Sequence, residues 1–481
     1  MPETTLTKQA AEAMEFPLIY GGAKHQTEGR MEVINPATEE VIGYSAVASE
    51  ADVAAAIAAA DQAFQSWRNS SDEERQDVCN KIAAIIEKHA DELAVLVSRE
   101  SGKPIEGFGA RFEVGAAVAW TATTAALSLE DRVISDTDEG KTVLRHEPIG
   151  VCGSITPWNW PLMIAAWHII PALRTGNTIV IKPSEKTPLS TYRLVELINE
   201  VAPGLVNIVT GGGDVGAMLS SHPAIGKMVF TGSTNTGRHV MRACSENFKR
   251  VTLELGGNDA GIVLPGTDIA PLVEPMFWGA FMHSGQVCLA LKRLYVHEAD
   301  YDAVCAALVE FNKTVPMGDP LDEETRLGPL QNPEQLKIVE TMVDEAIAAG
   351  GRALSGGKRA EGKGFFYPIS FIADAVDGMR LVDEEQFGPA LPIIRYKNVE
   401  DAIAAANNLE FGLGASVWGQ DREQAMAVAN QLEAGTVFIN KHADISPDTP
   451  FGGIKNSGLG VEFGVEGLAA YTNIKVYSMA N

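Results

Sequence analysis

From about residue 145 the chain alternates short β-branched runs with helical stretches. That rhythm restricts it to a parallel sheet with both faces covered. The runs are 178–182, 206–209, 228–231 and 251–255, and the helical stretches between them are 189–200, 214–221 and 234–246. A second alternating set begins near Ala260, with strands predicted at 261–264 and 293–296 and helices at 269–283 and 299–313. The expected fold class is therefore α/β, with two doubly wound domains in series. A chain of 481 residues can bury the core that both need.

The first third reads as helical. Ser71-x-x-Glu74 is a capping box, and its helix is predicted to run until Gly102 and Pro104 stop it. The Ala-rich stretch 51–67 is a second helix. The tail, 471–478, reads as a strand with no partner nearby in sequence. Its open edge calls for another segment or another subunit to cover it.

Net charge −25 disfavours nucleic acid and anionic membranes as partners. No run of 18 apolar residues exists, so no membrane span is expected. Residues 1–16 are polar and acidic with no apolar signal core, which points to the cytoplasm. The five cysteines, Cys79, Cys152, Cys244, Cys288 and Cys305, form no Cys-x-x-Cys pair. Neither a disulfide framework nor a metal site is indicated. Cys152 lies in an apolar run and Cys79, Cys244 and Cys305 in predicted helices, so these four read as inert.

Cys288 differs. It follows the predicted helix end in Ser-Gly-Gln-Val-Cys (284–288), in a loop that can aim a thiol into a cleft and where nearby amides can stabilise a thiolate. Glu254 ends a β-branched strand in Leu-Glu-Leu-Gly-Gly (253–257). Partial desolvation there raises a carboxyl toward the range of a useful base. Asn159 lies in Pro-Trp-Asn-Trp-Pro (157–161), where prolines stiffen the backbone around an amide donor. Together the three are a nucleophile, a base and an oxyanion donor, a set suited to covalent chemistry on a carbonyl. Taken singly, each also has a structural reading: a core thiol between Val287 and Leu289, a turn cap and a turn asparagine.

Strand ends in such sheets are where ligands dock. Lys182 and Glu185, in Lys-Pro-Ser-Glu (182–185), can meet ribose hydroxyls or phosphate. Phe-Thr-Gly-Ser (230–233) opens a helix whose N-terminus can cradle a pyrophosphate. Gly211 to Gly216 match Gly-x-Gly-x-x-Gly, but no acid follows about 20 residues on. That stretch reads as a tight βα turn beside the cofactor.

In these motifs the chain resembles the aldehyde dehydrogenase superfamily. Glu-Glu-Gln-Phe-Gly-Pro (384–389) and Pro-Phe-Gly-Gly (450–453) complete the family's order, and the match covers nearly the whole chain. The resemblance implies an NAD-binding domain at 1–123 and 145–254 and a catalytic domain at 255–447. It also implies a bridging β arm at 124–144 and 448–481 that builds a homodimer or homotetramer. It makes Cys288 the residue that attacks the aldehyde carbon, with Asn159 and the Cys288 amide holding the oxyanion. Hydride then passes to the nicotinamide, Glu254 activates the hydrolytic water, and Glu462 assists a proton relay.

The resemblance places Ile155, Thr156, Pro157, Trp158, Lys182, Ser184, Glu185, Gly216, Phe230, Thr231, Gly232, Ser233, Leu255, Gly256, Glu385 and Phe387 at the cofactor. Gly232 and Ser233 meet the pyrophosphate, Lys182 and Glu185 hold the adenosine ribose, and Glu385 and Phe387 position the nicotinamide ribose and ring. One departure stands out. The family often has a lysine where this chain has His168. Either His168 moves the deacylation proton with a different pH profile, or it packs the helix.

A carboxylate at Glu185 repels a 2′-phosphate, so NAD is the expected cofactor, with Lys182 leaving room for some NADP use. Matched positions put Trp160, Met163, Ile164, Trp167, Trp278, Met282 and Phe451 around the substrate. This apolar, aromatic lining suggests a medium- or long-chain aliphatic aldehyde, or an aromatic one. The loop 441–449 carries Lys441 and His442 but no arginine clamp for a semialdehyde carboxylate. The competing readings are a semialdehyde dehydrogenase that acylates CoA, a cysteine acyl-transfer or esterase enzyme, and a non-catalytic protein of the same fold. The first usually lacks the glutamate found here at 254.

Overall fold

A computed structural model describes residues 14–481, so most of the polar N-terminal stretch lies outside the described residues. The first large sheet has five parallel strands, in spatial order Arg250–Glu254, Ile225–Thr231, Val151–Ile155, Thr178–Lys182 and Val206–Ile208. Short antiparallel strands flank them: Gly458–Leu459 at one end, and Leu18–Tyr20 with Ala23–His25 at the other. Val151–Ile155, Thr178–Lys182 and Val206–Ile208 are buried throughout, because helices cover both faces. Ile179 and Ile181 pack into one core with the helices Asp72–Lys88 and Pro161–Arg174. Val180, between them, packs into the other with the helix Glu50–Trp67.

The second large sheet runs Arg352–Ala353, Ser370–Ala375, Ala390–Tyr396, Leu291–His297, Asp259–Val263, Gly414–Trp418 and Thr436–Ile439. All but the first strand are parallel. The chain leaves the first sheet at Glu254 and enters the second at Asp259. Four residues between the two bring the carboxyl end of one sheet against the amino end of the other. In the first sheet the strand order reverses between Val151–Ile155 and Ile225–Thr231, where open α/β sheets bind ligands.

The tail forms the strand Thr472–Ala480, which pairs along its length with Gly140–Pro148 of the same chain. Arg132–Thr137 completes this antiparallel sheet. A distant segment therefore covers one edge of the tail and leaves the other open. Gly140–Pro148 continues past the expected boundary at 144.

Two expectations need correction. The first third is not helical throughout: short strands occupy much of Met14–Val47 and form a three-stranded sheet and the edge of the first large sheet. The helix predicted from 71 to 102 is two helices, Asp72–Lys88 and Ala90–Ser101, broken at His89. The start at Ser71 holds, with its reciprocal capping box to Glu74, and the helix read from 51 begins at Glu50 behind an unpredicted capping box at Ser49/Asp52. Gly102 ends the second helix at φ 73°, and a Cβ there would sit 2.7 Å from Pro36. Left-handed backbone and crowding both require glycine.

Candidate active site

The helix predicted over 269–283 is α-helical only for Val273–Phe281. A tight turn follows, with His283 and Ser284 at φ 49° and 54°. A Cβ on Gly285 would lie 2.3 Å from Gly388 O, so the chain can pass only as glycine. Gln286 fixes the next step: its side chain donates to His283 O at 3.1 Å and accepts from Gln331 N at 2.8 Å. This turn delivers Cys288, half-buried, to a cavity wall. Lys292 Nζ donates to Val287 O at 2.7 Å and to Cys288 O at 2.5 Å. Burial pushes the thiol up to about 12, with Lys292 opposing and Glu254, Glu385 and Asp259 adding to the rise. The thiolate-stabilising loop expected from sequence is thus outweighed by desolvation.

Glu254 is buried at its strand end, and neither carboxylate oxygen has a hydrogen-bond partner. Burial, then the charge of Glu462, holds its carboxyl well above the usual range. Glu462 pairs through its backbone with Phe451, which lines the cavity. Its Oε1 lies 3.1 Å from His168 Nε2. His168, fully buried, also meets Ser154 Oγ at 2.7 Å and Thr231 Oγ1 at 3.2 Å. The departure noted in sequence therefore sits beside Glu462 as well as inside a packed helix.

Asn159 Nδ2 donates to Gln286 O at 2.9 Å. An amide carries two protons, so this bond fixes the rotamer and leaves one proton free.

Most residues assigned to the cofactor cluster at the carboxyl ends of the first sheet. Ile155, Thr156, Pro157 and Trp158 follow one strand, and Lys182, Ser184 and Glu185 the next, with Thr156 N donating to Lys182 O at 3.1 Å. Lys182 Nζ donates to Pro183 O at 2.9 Å and Gly211 O at 2.8 Å. It lies 4.0 Å from Glu185 Oε2. Burial lowers the Lys182 ammonium, with Glu185 and Asp214 opposing. Gly216 faces Ile155 and Lys182, and a Cβ there would meet both at 3.4 Å.

Phe230, Thr231, Gly232 and Ser233 lie across the strand-order reversal. Ser233 Oγ caps the helix Thr234–Ser245, accepting from Thr236 N at 3.3 Å. Leu255 N donates to Ser457 O at 2.9 Å. Glu385 reaches in from the second sheet. It accepts from Gly257 N at 3.1 Å, lies 3.4 Å from Lys292 Nζ, and would be 2.5 Å from a Cβ on Gly256. Burial raises its carboxyl, with Lys292 opposing. Phe387, at φ 46°, stands edge-on to Trp158 with ring centroids 5.2 Å apart. Acceptors for ribose hydroxyls at Glu185 and Glu385, with a glycine and a helix N-terminus between, make a donor set that fits a dinucleotide.

On the other side of Cys288 lies a cavity of about 910 Å³. Trp160, Met163, Ile164, Trp167, Trp278, Met282 and Phe451 all line it, together with Phe108, Phe112 and Trp120, which the sequence reading missed. Trp120 packs tilted against Trp167 and edge-on to Phe463. Charged groups at the wall are Glu274, Lys441 and Asp444, the last two paired at 2.7 Å. Among the described residues no arginine lines the cavity. Sequence reasoning also missed Lys103, Glu113, Lys292 and the buried Asp259, which lies 3.5 Å from the His442 already named. Each lies outside the quoted motifs and meets the site only through the fold.

A model described as the aldehyde dehydrogenase family matches residues 23–477. Retinaldehyde dehydrogenase 3 of Rattus norvegicus is 40% identical over 460 residues, covering 92% of this chain and 88% of that protein. "Aldehyde dehydrogenase, cytosolic 1" of the same organism is 40% identical over 458 residues, covering 93% and 91%. The structure of an aldehyde dehydrogenase from Bacillus cereus in complex with NAD+ superposes with a TM-score of 0.95 at 36% identity, covering 100% of this chain and 99% of that one.

Proposed function

The chain belongs to the aldehyde dehydrogenase family, and from that premise we propose that it oxidises an apolar aliphatic or aromatic aldehyde to the acid through Cys288. It is an aldehyde dehydrogenase that uses NAD. The observation that carries the finer reading is a thiol on the wall of a large aromatic cavity, in a residue whose carbonyl accepts from the same Lys292 ammonium that lies 3.4 Å from Glu385.

The Cys288 thiol gives up its proton to solvent as its sulfur adds to the carbonyl carbon, and hydride loss from the resulting thiohemiacetal carbon leaves a Cys288 thioester. The oxyanion that develops meets the free Asn159 amide proton and the Cys288 N–H. NAD, when bound, supplies the hydride acceptor. Glu185 and Lys182 hold its adenosine ribose, Gly232 and Ser233 its pyrophosphate, and Glu385 and Phe387 its nicotinamide end. Glu254 then takes a proton from the water that attacks the Cys288 thioester. Glu462, beside His168, receives that proton outward. On this reading 1–123 and 145–254 bind cofactor and 255–447 carries the nucleophile.

The sheet of Arg132–Thr137, Gly140–Pro148 and Thr472–Ala480 forms a homodimer or homotetramer contact. Its support is the open strand edge and the exposed Val133, Ile134, Ile474 and Val476. Five free cysteines fit a reducing, cytoplasmic location. No described helix is long and apolar enough to cross a membrane.

The cavity supports the substrate class. Its lining offers area and π faces, and the cation at its described wall, Lys441, is already paired with Asp444. One relative is named for retinaldehyde, itself a long apolar aldehyde. The test is NADH formation with hexanal, decanal, benzaldehyde, succinic semialdehyde and betaine aldehyde, with and without CoA. The expected signal is independent of CoA and strongest for decanal or benzaldehyde. A preference for succinic semialdehyde would overturn the substrate class, and dependence on CoA would overturn the hydrolytic step.

Glu185 gives a second expected outcome. The Glu185→Ser variant gains kcat/KM with NADP relative to NAD by about 10-fold, since removing one charge near a phosphate relieves about 1 kcal/mol or more. Steady-state kinetics with both cofactors decide it, and an unchanged ratio would remove Glu185 from the ribose site.

A further inference from the structure

We propose that Lys103 is a positioning residue for Asn159, clamping its carbonyl so that its side-chain amide stays aimed at the reacting carbonyl. The proposal rests on the reading of Asn159 as an oxyanion donor. Lys103 follows the helix-ending Gly102, and its side chain is 0% exposed. One ammonium makes three contacts. It donates to Asn159 O at 2.9 Å, it is hydrogen-bonded to the Glu113 carboxylate, and it lies 3.4 Å from the centroid of the Trp160 ring.

Glu113 carries the clamp further. Its Oε1 accepts from Leu162 N at 2.9 Å and Met163 N at 3.1 Å, in the first turn of the helix Pro161–Arg174. That turn has no side-chain cap of its own, so Glu113 supplies the missing acceptor at the positive end of the helix.

Asn159 is thus held at both ends. Gln286 O takes one amide proton, and Lys103 holds the backbone carbonyl. Trp160, the next residue, lies under the same ammonium but is also packed edge-on by Phe112 and His283, so its place on the cavity wall does not depend on Lys103. A fully buried ion pair is a poor source of stability compared with apolar packing of equal volume. Direction is what this one supplies. Burial draws the ammonium down to about 8, and the Glu113 charge opposes that fall.

The test is a double-mutant cycle on kcat and KM. Asn159→Ala alone lowers kcat by about 10²–10³-fold. Lys103→Met lowers kcat by about 10-fold or more with KM little changed, as expected for a misaimed group. The double variant is no slower than Asn159→Ala, because Lys103 acts through Asn159. Should Lys103→Met fail to fold, Glu113→Gln keeps an acceptor for the helix turn while removing the charge that holds the ammonium. Its smaller kcat loss must likewise vanish in the Asn159→Ala background. Multiplicative losses, or an unchanged kcat in the Lys103 variant, overturn the proposal. An unchanged kcat in Asn159→Ala instead overturns the oxyanion reading beneath it.

Discussion

Replacing Cys288 by alanine lowers kcat for aldehyde-dependent NADH formation by about 10⁴-fold or more and leaves NAD affinity close to that of the parent enzyme. The size follows from the site. Cys288 is the cysteine on the cavity wall, while Cys79, Cys152, Cys244 and Cys305 are buried in other parts of the fold. None of these can reach the aldehyde. The same contrast makes Cys288 the thiol that iodoacetamide modifies first. Because burial holds that thiol up at about 12, its thiolate is a small fraction at neutral pH. Below that value the fraction grows about tenfold per pH unit, and the alkylation rate rises with it. A rate that levels off below pH 8 would contradict the desolvated environment. Peptide mapping of the adduct locates the modified residue.

The second large effect belongs to Glu254. The Glu254→Gln variant loses about 10²–10⁴-fold in steady-state kcat but keeps a first-turnover burst of NADH, since only deacylation needs the base. In the parent enzyme the carboxyl is held well above its usual range by burial and by Glu462. Its basic form therefore grows as pH rises, and kcat climbs on the acidic limb. That limb disappears in the Gln variant. Stability moves the other way. A carboxyl raised in the folded state favours folding while it is neutral. That contribution is full below the unfolded-state value and is lost as pH rises through the folded one. Glutamine avoids the loss, so the variant is at least as stable to heat as the parent enzyme at pH 8. Loss of the burst would place Glu254 before hydride transfer.

The chemistry was more legible in the sequence than the scaffold around it. Cys288, Glu254 and Asn159 stand in short motifs whose prolines and glycines report local backbone geometry, and such geometry survives without knowledge of the fold. The parallel strands were equally plain, because strands covered on both faces are rich in β-branched apolar residues. The break at His89 was hidden, since Ala90 and Glu92 suit the middle of a helix as well as its first turn. The short strands before Val47 were missed for a different reason. Leu18–Tyr20 pairs with Val206–Ile208, a partner far along the chain. Lys103 and the Asp259–His442 pair escaped on the same ground: nothing near Lys103 in sequence says that Asn159 lies above it.

The most direct test of covalent catalysis through Cys288 is the intact mass of the Glu254→Gln variant, quenched after mixing with NAD and decanal. The expected result is a mass gain equal to a decanoyl group in place of one hydrogen, mapped to the peptide that contains Cys288. NADH formation without any adduct, or an adduct on another residue, would contradict it.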